Sequence, residues 1–159
     1  MKFLLTVVFA FFLVGNVAGA CKDCECPDFM SLRIVRDGEP DMFYTQHAGC
    51  SANATYPATN VINILSRWNE TEIAIPEDAN RYYRLFAATY ESDRIYGDPV
   101  ELFSYFGIVC EDKSWYMTKY PKGIFYRKTT DNYDDQMDYK EEEYQGKKSK
   151  IWFFYCFAL

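Results

Sequence analysis

The chain has 159 residues, 17 basic and 23 acidic side chains for a net charge of −6, and an aromatic fraction of 19% carried mostly by tyrosine and phenylalanine. The acidic balance argues against nucleic acid and anionic membrane as partners, since both are held through grouped lysine and arginine. The length suits one domain with a real core, and the aromatic content favours strands, where flat side chains pack on a pleated surface.

The first twenty residues read as a signal peptide. Lys2 gives a positive start, residues 3–14 are apolar apart from Thr6, and Ala18 and Ala20 supply the small residues of a cleavage site. The apolar core is too short for a membrane span, which needs about 20 residues. Cleavage after Ala20 makes Cys21 the first residue of a secreted, extracellular domain over 21–159 and removes Lys2 but no acid, so the mature chain is more acidic still.

Six cysteines follow the leader: Cys21, Cys24, Cys26, Cys50, Cys110 and Cys156. An even count in an oxidising compartment predicts complete pairing. Cys21, Cys24 and Cys26 are too close in sequence to pair without strained rings, so each is expected to bridge to Cys50, Cys110 or Cys156, in an order left open. Two sharper readings of the cluster are set against this. Cys21 and Cys24 have the spacing of a redox dithiol, but Asp23 disfavours a thiolate. Cys21, Cys24, Cys26 and either His47 or Cys50 have the ligand types for tetrahedral zinc, but the even cysteine count favours bridges, and no metal or cofactor is expected.

In chain order, residues 31–36 and 42–47 read as a hairpin around a turn at Asp37-Gly38. Residues 51–60 read as a surface loop carrying the sequon Asn53-Ala54-Thr55. A second sequon, Asn69-Glu70-Thr71, falls between the apolar runs 61–65 and 73–75, which would put Asn69 at a hairpin tip. Asn53 and Asn69 are therefore the expected glycosylation sites. Pro76, Glu77 and Asp78 form a helix start, and residues 77–91 fit a helix or a strand. Residues 100–110 suit a strand crossing the core, 114–120 and 124–129 a second hairpin, and 151–157 a last strand.

The acidic stretch 131–144, followed by Lys147, Lys148 and Lys150, reads as a solvated excursion between the last two strands. Its tyrosines Tyr133, Tyr139 and Tyr144 are candidates for sulfation and an anionic docking loop. No catalytic motif is present: the single histidine, His47, has no serine or metal signature around it, and an enzyme would need carboxylates brought together by the fold. The sequence thus predicts a mainly β, single, disulfide-linked antiparallel sandwich or barrel-like domain that acts by binding an extracellular protein. The alternative is a barrel carrier of a small hydrophobic ligand, with a pocket lined by Tyr82, Phe86, Phe103 and Phe106.

One resemblance is carried by Cys21-x-x-Cys24, by Gly49-Cys50 before a loop, by Ile108-Val109-Cys110 leading through a charged turn to Trp115, and by the terminal Cys156. This framework resembles the small secreted six-cysteine domains of nematodes. The resemblance implies extracellular location and a β-rich fold, and no activity. Cys26 and the acidic stretch depart from that pattern.

Overall fold

A computed structural model describes residues 23–39, 41–56, 60–89, 99–129, 135–138 and 140–158. A 3₁₀ turn at Phe29–Leu32 precedes β1 (Phe43–Gln46), β2 (Ala52–Tyr56) and β3 (Asn60–Arg67). A 3₁₀ turn at Trp68–Glu70 leads to β4 (Arg84–Ala88), β5 (Val100–Glu101), helix α1 (Leu102–Phe106), β6 (Val109–Glu111), β7 (Ser114–Met117) and β8 (Ile124–Arg127). The chain ends through β9 (Asp135–Asp138), helix α2 (Glu141–Tyr144), β10 (Ser149–Lys150) and β11 (Phe153–Ala158). These strands form a five-stranded sheet in the order β11-β3-β4-β8-β9 and two three-stranded sheets, β1-β2-β5 and β10-β7-β6. Their pairings are antiparallel, and among the described residues no sheet closes into a barrel.

The mainly β, disulfide-linked architecture follows from apolar strands that alternate between two faces. On β3, Ile62 and Ile64 point into the main core, while Val61 and Leu65 lie on the other face with Phe86 and Phe125 near by. Phe29 is the hub of the main core: fully buried, its ring lies 4.9 Å from Phe154, 4.9 Å from Phe103 and 5.5 Å from Trp115. The Trp115 indole N–H donates to the Pro27 carbonyl at 2.7 Å, which ties the N-terminal segment to the middle of the chain.

Several expectations are corrected. Residues 31–36 do not pair with 42–47. Arg33 instead bridges to Phe154, the Ile34 N–H donates to the Phe154 carbonyl at 2.8 Å, and β1 pairs with β2 around Gly49 and Cys50. Asn53 accordingly lies within a strand and not a loop. Asn69 lies on the 3₁₀ turn after β3, and no strand forms at 73–75. Of residues 77–91, the described part gives turns and then β4. The acids that suited a helix start are used sideways: Asp78 accepts from the Tyr126 hydroxyl at 2.9 Å and pairs with Lys128 at 3.2 Å. Those partners, the Tyr126 hydroxyl first, hold its carboxyl below the usual range.

Residues 100–110 are broken by α1, because Glu101 caps it by accepting from the N–H groups of Phe103 and Ser104, and Gly107 ends it in the left-handed region at φ 58°. Finally, β7 and β8 fall in different sheets, so 114–120 and 124–129 form no hairpin. The acidic stretch is not simply an excursion, since β9 pairs with β8 within it.

Candidate binding cleft

Along β3 the row that includes Leu65 ends at Arg67, and in the paired register Arg67 stands opposite Arg84 at the start of β4. Like charges directly opposite each other on adjacent strands repel. Neither arginine is offset by an acid: among the described residues, Arg67 and Arg84 have no ion pair. Both rest instead on one indole. The Arg67 guanidinium lies 4.0 Å and that of Arg84 5.0 Å from the Trp152 ring centre, and Arg84 is also 5.2 Å from Phe153. Trp152 is held for this by its backbone N–H, which donates to the Leu65 carbonyl at 2.9 Å, and by its ring contact with Phe153 at 4.7 Å.

The turn before β4 completes the site. The Asn80 side chain accepts from the Tyr82 N–H at 3.0 Å, which shapes the turn and leaves the Tyr82 side chain 99% exposed. Arg127 lies 4.9 Å over the Tyr83 ring on the far side of that turn. The resulting cleft, of about 400 Å³, is lined by arginine and aromatic side chains together with Asn69 and Ile75, and among the described residues by no acid. Three of the seven arginines in an acidic chain converge there. A guanidinium held over a ring still has N–H donors in a fork that matches two oxygens of a carboxylate or a phosphate-like anion.

A second cleft, of about 510 Å³, lies on the other side of Asn69. Glu70, Glu72, Glu111 and Asp112 line it with Lys148 and Lys150. Three of its four carboxylates are engaged: Lys148 contacts Glu111, Lys150 is 3.4 Å from Glu70, and Glu72 accepts from the Lys148 backbone N–H at 2.8 Å. The Lys148 ammonium is held above its usual range, first by its hydrogen bond to Glu111.

The residues singled out from the sequence are placed as follows. Cys24 bridges to Cys50 and Cys26 to Cys110. Cys156 is buried and in hydrogen bond with the Tyr56 hydroxyl; burial first, and then this bond, pushes that phenol well up. Cys21 lies outside the described residues, and with it the third pairing. The four sulfurs of Cys24, Cys26, Cys50 and Cys110 lie within 4.8 Å of one another. Since these form two bridges, Cys24, Cys26 and Cys50 are not available as the thiolates of the zinc arrangement considered above, and His47 is exposed.

Asn53 and Asn69 are both exposed. Tyr133 and Tyr139 lie outside the described residues, whereas Tyr144 is 4% exposed and packs on Tyr120 at 6.0 Å, so it cannot belong to an exposed docking loop. The pocket expected for a hydrophobic ligand does not form: Tyr82 is in solvent, Phe86 stacks on Phe125 in the smaller cluster, and Phe103 and Phe106 belong to the main core. The cleft at Arg67 and Arg84 was not foreseen. Its local signal is Arg81-Tyr82-Tyr83-Arg84, with Arg67-Trp68 and Trp152-Phe153, but their meeting depends on sheet pairing.

The family model described as TRA-1 regulated protein R03H10.4 matches residues 22–156. The chain belongs to that family. The cysteine framework that suggested a nematode-type domain thus has a counterpart in family membership and in two bridges. No curated protein and no solved structure matches the chain.

Proposed function

We propose that the protein is secreted, carries an N-linked glycan at Asn53, and acts by binding an extracellular partner at the cleft around Arg67, Arg84 and Trp152, where Asn69 forms part of the wall and is left without a glycan. The observation that carries this reading is the facing arginine pair. Two cations in cross-strand register, unmatched by any acid among the described residues of a chain with net charge −6, are a cost to the fold that a bound anion would offset. Two disulfides fit an oxidising compartment, and the family match begins at residue 22, directly past the expected leader. Asn53 is open to solvent, as glycan attachment requires. Binding is favoured over catalysis because Glu70, Glu72 and Glu111 of the second cleft are already engaged by lysine side chains and backbone.

Two measurements test this. Native mass spectrometry of the protein exported by cultured animal cells should show a chain starting at Cys21 that loses mass on glycan removal; an intact Met1 and no glycan would overturn the secreted reading. Retention of that protein on animal extracellular matrix should fall at least tenfold in Arg81→Gln/Tyr82→Ala, both at exposed turn positions. Unchanged retention would remove the cleft as the binding site.

A further inference from the structure

Resting on that reading, we infer that the ligand of the cleft is a sulfated glycan, a linear polyanion bound along a row of arginine-on-aromatic pairs. The row extends beyond the cleft itself. Three residues after Trp152, Tyr155 carries the Arg36 guanidinium at 4.0 Å from its ring centre, and on the opposite flank Arg127 covers Tyr83 at 4.9 Å. Phe153 joins the two, its ring centre 4.7 Å from that of Trp152 and 6.2 Å from that of Tyr155, so the cationic stations follow one another at an interval of a few ring widths. Cationic stations repeated at that interval suit a chain that carries anionic groups along its length, more than a single small anion.

The state of the rings selects among polyanions. A single-stranded nucleic acid gains much of its affinity by stacking bases on open aromatic faces. Here the rings of Trp152, Tyr155 and Tyr83 each lie under a guanidinium, and Tyr82 alone stands free in solvent. What the surface offers is therefore guanidinium edges, which bind sulfate or carboxylate through paired N–H donors. An extended acidic peptide would offer carboxylates to the same edges, and polyglutamate tests for it below. A sulfated saccharide chain presents permanent anions with no base to stack, and the open Tyr82 ring can lie against a sugar face.

The experiment is fluorescence anisotropy of the glycosylated, disulfide-intact protein with a labelled heparin-derived octasaccharide at low and at physiological salt. Binding should weaken as salt rises, fall at least tenfold in Arg67→Gln/Arg84→Gln, and fall several-fold in Arg36→Gln. Desulfated octasaccharide, single-stranded DNA and polyglutamate of equal charge should fail to compete. The exposed single change Arg81→Gln should also weaken binding, which keeps the test decisive if the double variant folds poorly. Absence of binding at low salt, equal binding by the variants, or competition by DNA or polyglutamate would overturn the inference. Absence of octasaccharide binding beside matrix retention that still depends on Arg81 and Tyr82 would overturn the sulfated ligand while leaving the cleft as the binding site.

Discussion

Arg67 and Arg84 show how a local loss to the fold can mark a site. Each gains roughly 0.5–1 kcal/mol from a partly exposed aromatic ring beneath it, and their mutual repulsion across the strand pair takes back roughly 0.2–1 kcal/mol. These contributions nearly cancel, so Arg84→Gln should leave thermal stability within about 0.5 kcal/mol of wild type while weakening ligand binding. A loss of more than about 2 kcal/mol in a denaturant titration would show that the arginine serves the fold instead. Glu101 is the opposite case, a charge that the fold uses. Burial raises its carboxyl, but the Ser104 backbone N–H and side chain and the N–H groups of Ala54 and Phe103 outweigh that, and the net shift is downward. A lowered folded pKa means that the unfolded chain takes up its proton first as the pH falls. The stabilisation is therefore complete above the ordinary value of 4.5 and is lost below it, as pH passes down through the folded value. Glu101→Gln should cost about 1 kcal/mol at neutral pH and flatten the fall in melting temperature below pH 4.5. A wild-type acid slope retained in the variant would assign that slope to other groups.

At the scale of the element, α1 is the instructive piece. Its last carbonyls are met from outside: the Phe106 carbonyl accepts from Thr118 and Lys119 N–H groups at 3.0 and 2.9 Å, and the Thr118 hydroxyl donates to the Gly107 carbonyl at 2.7 Å. That close approach leaves no room for a side chain at position 107, where a Cβ would lie 2.8 Å from the Lys119 Cγ and still nearer the Thr118 hydroxyl. Gly107→Ala should therefore destabilise by about 2–3 kcal/mol, combining left-handed strain with steric clash. Gly38→Ala, at φ 81° but in open space, should cost about 1–2 kcal/mol from strain alone. Urea midpoints of the two variants read the difference, and equal costs would mean that the contact with Thr118 relaxes freely. The same element shows what was legible in the sequence. The turn at Gly38, the final strand β11 and the β-rich class follow from residue type and alternation. The run over 100–110 hid a helix because its apolar residues suit either period, and only Glu101 and Gly107 mark its ends. Strand partners were misjudged where neighbours in sequence were paired: β3 lies between β11 and β4, and β7 between β10 and β6. Such pairings, and with them the meeting of Arg67, Arg84 and Trp152, depend on contacts distant along the chain.

Across the whole molecule the two bridges do different work. Cys24–Cys50 closes 26 residues and anchors the segment just before β2, whereas Cys26–Cys110 closes 84 and fastens the N-terminal segment to β6. From loop closure alone the shorter bridge should contribute about 3.5 kcal/mol and the longer about 4.5 kcal/mol. Cys26 is also more buried than Cys24 and lies beside the aromatic hub of Phe29 and Trp115, so its loss loosens core packing as well. Cys26→Ser/Cys110→Ser should therefore lower the melting temperature more than Cys24→Ser/Cys50→Ser does. The reverse order would mean that the N-terminal segment is held by packing and not by its longer bridge. The comparison has meaning only if the pairing is the stated one, and the neighbouring sulfurs, Cys24 to Cys110 at 4.0 Å, make an exchanged pairing sterically accessible. Trypsin cannot tell the two apart, since Cys24 and Cys26 share the peptide between Lys22 and Arg33. Cleavage after Glu25 separates them, and mass spectrometry of that digest should find Cys24 joined to Cys50 and Cys26 joined to Cys110. Finding Cys24 with Cys110 and Cys26 with Cys50 instead would lengthen the longer loop by two residues, to a separation of 86, and shorten the shorter by two. Loop entropy would then still favour the longer bridge, now Cys24–Cys110, by about 1 kcal/mol, and the burial of Cys26 would act against that ranking from the shorter one.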